Sequence, residues 1–295
     1  MTDLREDLRA FMDHNYLSQR RCAGALGIST GMLSEWLSGT YIGNTRKIEE
    51  SVRDFLERQR ELREATRWGT RFAMTSVARK VFEVARICHL DREIGVCYGA
   101  AGLGKTEAVR EYARKTPDVI LVEVDLGHTA KALFSELHRM LDMDGFGTVH
   151  NMFTDIVEKL TGSESLIIVD EAEHLPYRAL ELLRRIHDKA GIGIMLVGMP
   201  RLLSNLRGRK GEYAQLYSRV GIAARLEGLR PEDTRMIVET IIPTANGLSR
   251  AFHTASSANT RTLSKLIARS MRVAELNNTP LSPEVIRETS RMLII

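Results

Sequence analysis

Gly99-Ala100-Ala101-Gly102-Leu103-Gly104-Lys105-Thr106 is the stretch that decides the fold. It fits the phosphate-binding pattern GxxxxGK[ST] at every specified position. It also lies between an apolar run of strand length, 94–98, and a helical pattern, 107–115. Glycines let the backbone curl until its N–H groups face a triphosphate at a helix N-terminus, where the helix adds partial positive charge. Gly99, Gly102 and Gly104 are therefore expected to shape a cradle for ATP. Lys105 is expected to reach the β and γ phosphates, and the Thr106 hydroxyl to ligate Mg²⁺. A chance glycine-rich turn has no use for a Lys-Thr pair opening a helix.

Downstream, apolar and partly β-branched runs at 119–126, 166–169, 192–197 and 222–226 alternate with helical patterns at 130–141, 149–160 and 177–189. That alternation predicts an α/β fold, a parallel sheet with helices on both faces. The run Leu166-Ile167-Ile168-Val169 fits a buried central strand and ends in Asp170-Glu171. Asp170 is expected in the Mg²⁺ shell, and Glu171 as the general base that orients or deprotonates the attacking water. After Gly228-Leu229-Arg230-Pro231-Glu232-Asp233 the strands stop. The remainder reads as three or four helices broken at Pro243, Gly247, Asn278 and Pro280, a small helical unit.

Upstream, residues 4–41 hold short amphipathic segments around Leu26-Gly27-Ile28-Ser29, where Gly27 suits a turn and Ser29 a helix cap. From 46 to about 68 the apolar positions Ile48, Val52, Phe55, Leu56 and Leu62 recur at helical spacing among many charges, which reads as a solvated connecting helix. The expected divisions are thus 1–45, 46–74, 75–228 and 229–295. A length of 295 residues exceeds one usual core, and 43% hydrophobic with 27% charged residues is ordinary globular composition. No stretch approaches the roughly 20 apolar residues that cross a bilayer. The opening MTDLREDLRAFMDHN has no apolar signal core, so the expected place is the cytoplasm, with no membrane partner. Cys22, Cys88 and Cys97 are too far apart for a metal knuckle or redox pair and are expected only to fill space. A net charge of +4 is compatible with a phosphate-backbone partner and decides nothing alone.

From about Thr75 to Ile295 the chain resembles the AAA+ class of ATPases. The resemblance implies a sheet order of 5-1-4-3-2, a helical lid, and assembly into rings or helical filaments with ATP between subunits. It also implies an arginine donated by the neighbouring subunit, for which Arg219 in Gln215-Leu216-Tyr217-Ser218-Arg219-Val220 matches. Arg261 in Ala258-Asn259-Thr260-Arg261-Thr262-Leu263 matches the lid arginine that touches the γ-phosphate from the same chain. One departure stands out. The class places a polar residue after its fourth strand, whereas Val197-Gly198-Met199-Pro200 offers Met199, so slow or partner-dependent hydrolysis is expected.

Residues 19–39 resemble a Cro-type helix-turn-helix. The resemblance places Thr30, Gly31, Ser34 and Glu35 toward the major groove of double-stranded DNA and Gln19, Arg20 and Arg21 near phosphates. The small, weakly basic reading face implies sequence-tolerant contact; a helical hairpin for protein contacts is the other reading. Arg201, Arg207, Arg209 and Lys210 are expected to form a basic, glycine-containing loop that either tracks phosphates along a filament axis or is plainly solvated.

In order and length, these parts resemble the ATP-dependent target-DNA activators of Mu-type transposable phages. The stretches that carry this are Ile28-Ser29-Thr30-Gly31, Gly104-Lys105-Thr106-Glu107-Ala108, Asp170-Glu171-Ala172-Glu173-His174-Leu175 and Leu216-Tyr217-Ser218-Arg219. The family implies a homo-oligomer polymerising on target DNA with little sequence preference. It further implies stimulation of a DDE-type transposase, which in turn triggers hydrolysis. An ATP-gated, sequence-specific transcriptional regulator is the competing expectation. A helicase is excluded, because a lid of this size cannot supply a second motor domain.

Overall fold

Gly27, at φ +69°, ends one short helix, and Ser29 starts the next by accepting the backbone N–H of Met32 at 3.2 Å. Around this turn stand α1 (Leu4–His14), α2 (Gln19–Leu26), α3 (Thr30–Ser38) and α4 (Thr45–Arg67). The structure, a computed structural model, describes residues 4–67, 72–208, 213–243, 245 and 247–293. It divides into two compact units, Met1–Gly69 and Thr70–Ile295. In the first, Leu8, Cys22, Leu33 and Trp36 pack with Ile48, Val52 and Leu56 in one apolar core. The helix expected from 46 to about 68 as a solvated connector instead packs into the first unit through Ile48, Val52 and Leu56. Ile48, Val52 and Leu56 recur every four residues, so they share a single face of α4, and that face completes the first unit's core. Arg53, Asp54, Glu57 and Arg58, charges that suggested solvation, lie exposed on its other faces.

The second unit opens with α5 (Ser76–Asp91), capped by the Thr75 hydroxyl, which sequence reading passed over. Then follow β1 (Ile94–Gly99), α6 (Lys105–Lys115), β2 (Val119–Glu123), α7 (Ala130–Met140), α8 (Val149–Leu160) and β3 (Leu166–Asp170). A 3₁₀ turn (Ala172–His174), α9 (Tyr177–Ala190), β4 (Gly193–Gly198), α10 (Arg201–Arg207), α11 (Ala214–Tyr217) and β5 (Val220–Leu226) complete the core. All strand pairs are parallel, in the order β2-β3-β4-β1-β5, which is the expected 5-1-4-3-2 read from the other edge.

Period-two alternation along the strands feeds two cores. Ile94, Val96, Ile167, Val169, Ile194 and Leu196 face α7, α8 and α9; Cys97, Ile168, Met195 and Val197 face α5 and α6. Strands β3 and β4 are buried throughout, whereas the edge strand β5 is exposed at alternate positions. Fully burying each aliphatic side chain contributes roughly 1.5–3 kcal/mol, so the two layers fix the sheet and, with it, the loops at its C-terminal edge. Cys88 and Cys97 are buried and unbridged, as the space-filling expectation has it.

The lid comprises α12 (Pro231–Ile241), α13 (Ser249–Ala255), α14 (Thr260–Leu276) and α15 (Pro283–Arg291). Buried Asp233 ties it to the core by accepting the Ser76 backbone N–H at 2.6 Å, the Ser76 hydroxyl at 2.5 Å and the Arg230 N–H at 3.0 Å. Among the described residues no helix is long and apolar enough to cross a membrane.

Candidate nucleotide-binding active site

The loop between β1 and α6 adopts the shape its glycines predict. Gly102 and Gly104 lie at φ +77° and +87°, a region that side-chain-bearing residues rarely enter, and Gly104 caps α6. Lys105 is 6% exposed, and its Nζ donates to the carbonyl oxygens of Gly99 at 3.0 Å and Ala100 at 2.8 Å. Burial draws its pKa below the ordinary lysine value, against the pull of Glu171 and Asp170. Its Nζ is held at the mouth of the loop by the two carbonyls, and the residue lines a cavity of about 620 Å³.

At the end of β3, Asp170 Oδ2 accepts the Thr106 hydroxyl at 2.6 Å, while its buried Oδ1 has no hydrogen-bond partner. Burial raises the Asp170 pKa, opposed by the Thr106 hydrogen bond. A buried carboxylate with a free oxygen beside a hydroxyl offers the hard oxygen donors that suit a divalent cation near phosphates. Glu171 follows at φ +54°, an uncommon conformation for a non-glycine residue, which points its backbone into the turn and leaves its carboxylate lining the cavity. Burial, then the neighbouring charges of Glu173 and Asp170, push the Glu171 pKa upward.

Sequence reading missed the support behind this carboxylate. Glu173 is fully buried in its side chain and neither carboxylate oxygen is hydrogen-bonded; the Arg201 guanidinium lies 3.7 Å away. The same guanidinium reaches the His174 ring at 3.1 and 3.3 Å, and His174 Nε2 is 3.8 Å from Glu171 Oε2. Glu171, Glu173 and His174 cluster closely enough to hold a metal, yet Arg201 already supplies the compensating positive charge. The packing is close at Gly198, where a Cβ would come within 2.1 Å of Glu173 Oε2.

From the lid, Arg261 lines the cavity, and its backbone N–H donates to the Gly102 carbonyl at 3.0 Å. Asn259 Nδ2 donates to the Ala101 carbonyl at 2.9 Å and the Thr260 hydroxyl to the Leu103 carbonyl at 3.1 Å, neither of them anticipated as site residues. Met199 lines the same cavity. Arg219 does not; its guanidinium is largely exposed and lies 3.5 Å from Asp188.

The expected DNA-facing residues are in the first unit and in the 207–210 stretch. Gln19, Arg20, Arg21, Thr30 and Ser34 are all exposed. Arg201 and Arg207 stand on helix α10 rather than on the expected loop; Arg207 stacks on the Tyr217 ring at 4.6 Å and donates to its hydroxyl at 2.6 Å, while Arg209 and Lys210 lie outside the described residues.

Comparison with known proteins agrees with this geometry. A family model described as an AAA domain matches residues 89–206. The chain is 30% identical over 244 residues to the Mu-like prophage FluMu DNA transposition protein B of Haemophilus influenzae, covering 79% of this chain and 83% of that protein. It is 28% identical to the ATP-dependent target DNA activator B of Escherichia phage Mu, covering 81% of this chain and 78% of that one. Among solved structures, the Aeropyrum pernix ORC2 protein, in its ADPNP-ADP complexes, superposes with a TM-score of 0.57 at 17% identity over 76% of this chain and 68% of its own. The chain carries an AAA ATPase domain and belongs to the family of the Mu and Mu-like transposition B proteins.

Proposed function

We propose that this chain is an ATP-driven target-DNA activator. It assembles into a homo-oligomeric filament on double-stranded DNA with little sequence preference and stimulates a DDE-type transposase in the cytoplasm of a bacterial host. The names of its relatives, a DNA transposition protein and an ATP-dependent target DNA activator, support this reading. The observation that carries it is the division of the site. Lys105, Thr106, Glu171 and Arg261 line one cavity, with Asp170 hydrogen-bonded to the Thr106 hydroxyl, while Arg219 lies outside that lining and is largely exposed. In this reading Arg219 acts on the site of a neighbouring subunit, adding to Arg261 of the site's own chain, and polymerisation becomes the condition for full turnover.

In this reading Thr106 and the free Oδ1 of Asp170 hold Mg²⁺, which when bound neutralises charge on the phosphate oxygens. Lys105 binds the phosphates, Glu171 takes or orients the proton of the attacking water, and Arg261 closes on the γ-phosphate. Met199, apolar where a hydrogen-bonding group would help orient that water, keeps basal hydrolysis slow and leaves it to be stimulated by DNA and transposase. Residues 1–69 present Thr30 and Ser34 to the groove and Gln19, Arg20 and Arg21 to phosphates, with Arg207, Arg209 and Lys210 as further phosphate contacts.

The test is binding of the purified chain to random and unrelated duplexes with ATP, with ADP and as Lys105→Ala, read by fluorescence anisotropy and negative-stain imaging. Long ATP-dependent filaments on any sequence, absent in the variant, are expected. Discrete oligomers confined to one palindromic site would instead establish an ATP-gated regulator.

A further inference from the structure

The phosphate loop is gripped from outside as well as from within. Three consecutive carbonyls of the loop, those of Ala101, Gly102 and Leu103, accept hydrogen bonds from three consecutive residues at the start of α14. The donors are Asn259 Nδ2 at 2.9 Å, the Arg261 backbone N–H at 3.0 Å and the Thr260 hydroxyl at 3.1 Å. Asn259 is the one side chain engaged in both directions. Its Oδ1 accepts the Thr262 backbone N–H at 3.1 Å and so caps α14, while its Nδ2 holds the loop. The fit is close, since a Cβ on Gly102 would approach Asn259 Oδ1 to 2.5 Å.

We propose that Asn259 is a positioning residue that locks the phosphate loop in its nucleotide-receiving shape and makes nucleotide affinity depend on the docking of the lid. The inference rests on the nucleotide-site reading above and deepens it. A loop that turns its carbonyls outward leaves its N–H groups directed inward, the arrangement a phosphate requires, but two glycines at positive φ make this shape costly in conformational entropy. Lid donors on the outward carbonyls stabilise that shape before the nucleotide arrives, and preorganisation of this kind appears as affinity. By reciprocity, a bound nucleotide strengthens docking of α14, and with it the placement of Arg261, by the same factor.

Asn259→Ser separates the latch from the cap, because serine still accepts at the helix start but is too short to reach Ala101. The measurement is titration of the full chain with a fluorescent ATP analogue, alongside thermal unfolding and hydrogen exchange of α14. Asn259→Ser is expected to bind about fivefold more weakly, equivalent to about 1 kcal/mol for one hydrogen bond, with a midpoint of unfolding within a few degrees of the parent. The added protection of α14 on nucleotide binding, expected in the parent chain, should shrink with it. Asn259→Ala, which loses the cap as well, should bind no better and unfold at a lower temperature. Parent-like affinity and protection in Asn259→Ser overturn the proposal, and so does a loss of affinity that only follows a fall in stability. If Lys105→Ala binds the same analogue as tightly as the parent, the nucleotide site itself is misplaced, a failure distinct from that of the latch.

Discussion

Arg219 gives the sharpest test of whether catalysis is shared between subunits. Among the described residues its guanidinium pairs with Asp188, at 3.5 Å, and its side chain is 56% exposed. An exposed ion pair of this kind is screened and contributes about 0–1 kcal/mol, so Arg219→Ala should leave the unfolding midpoint within a few degrees of the parent. Its effect on turnover should be far larger, because an arginine delivered to a transferring phosphoryl group is worth roughly 10³–10⁵ in rate. Glu171→Gln should also stop hydrolysis, by a different route, since it removes the base while keeping the arginine. When the two dead variants are mixed in equal amounts on DNA, some sites pair an intact Glu171 with an intact Arg219 from the neighbour. Random mixing in a head-to-tail assembly makes that about a quarter of all sites, so about a quarter of the parent rate should return. The assay is steady-state phosphate release at fixed total protein. A mixture as inactive as its components, with both variants still assembling, would refute donation across the interface, and full activity in Arg219→Ala alone would remove the residue from catalysis altogether.

Three further outcomes follow from specific contacts. Gly198→Ala places a Cβ 2.1 Å from Glu173 Oε2, and since the neighbouring side chain is buried and confined, calorimetry should show a loss of about 1–3 kcal/mol. Thr106→Ala removes the donor to Asp170 Oδ2 and leaves a second carboxylate oxygen without a partner; ATP hydrolysis should fall steeply while the far-ultraviolet circular dichroism is unchanged. Cys88 and Cys97 have thiol pKa values pushed up to about 12, chiefly by burial, so the native chain at neutral pH should resist alkylation at both positions and react only when denatured, as mass spectrometry of modified peptides can establish.

What could be read in advance, and what could not, divides along a physical line. The sheet was legible because five apolar runs of strand length alternate with helical patterns, and a parallel sheet buried on both faces must look that way. The phosphate loop and Asp170 were legible because their chemistry demands particular residue types at fixed spacing along the chain, so local pattern suffices. Helix α4 was misjudged for the opposite reason: its buried stripe of Ile48, Val52 and Leu56 is narrow, and charge count outweighed periodicity until a partner surface was seen. Asn259 and Glu173 lay beyond sequence reasoning because their partners are distant in the chain or in the backbone itself. Asn259 serves a carbonyl 158 residues earlier, and a carbonyl has no letter in the sequence. Glu173 shows itself only through the Cβ that Gly198 lacks. The residues proposed to touch phosphate are therefore written locally, whereas the contacts that hold the loop against the lid are written across the fold. Substitutions at Asn259, Glu173 and Gly198 should accordingly alter how well the site is formed while its named catalytic side chains remain in place.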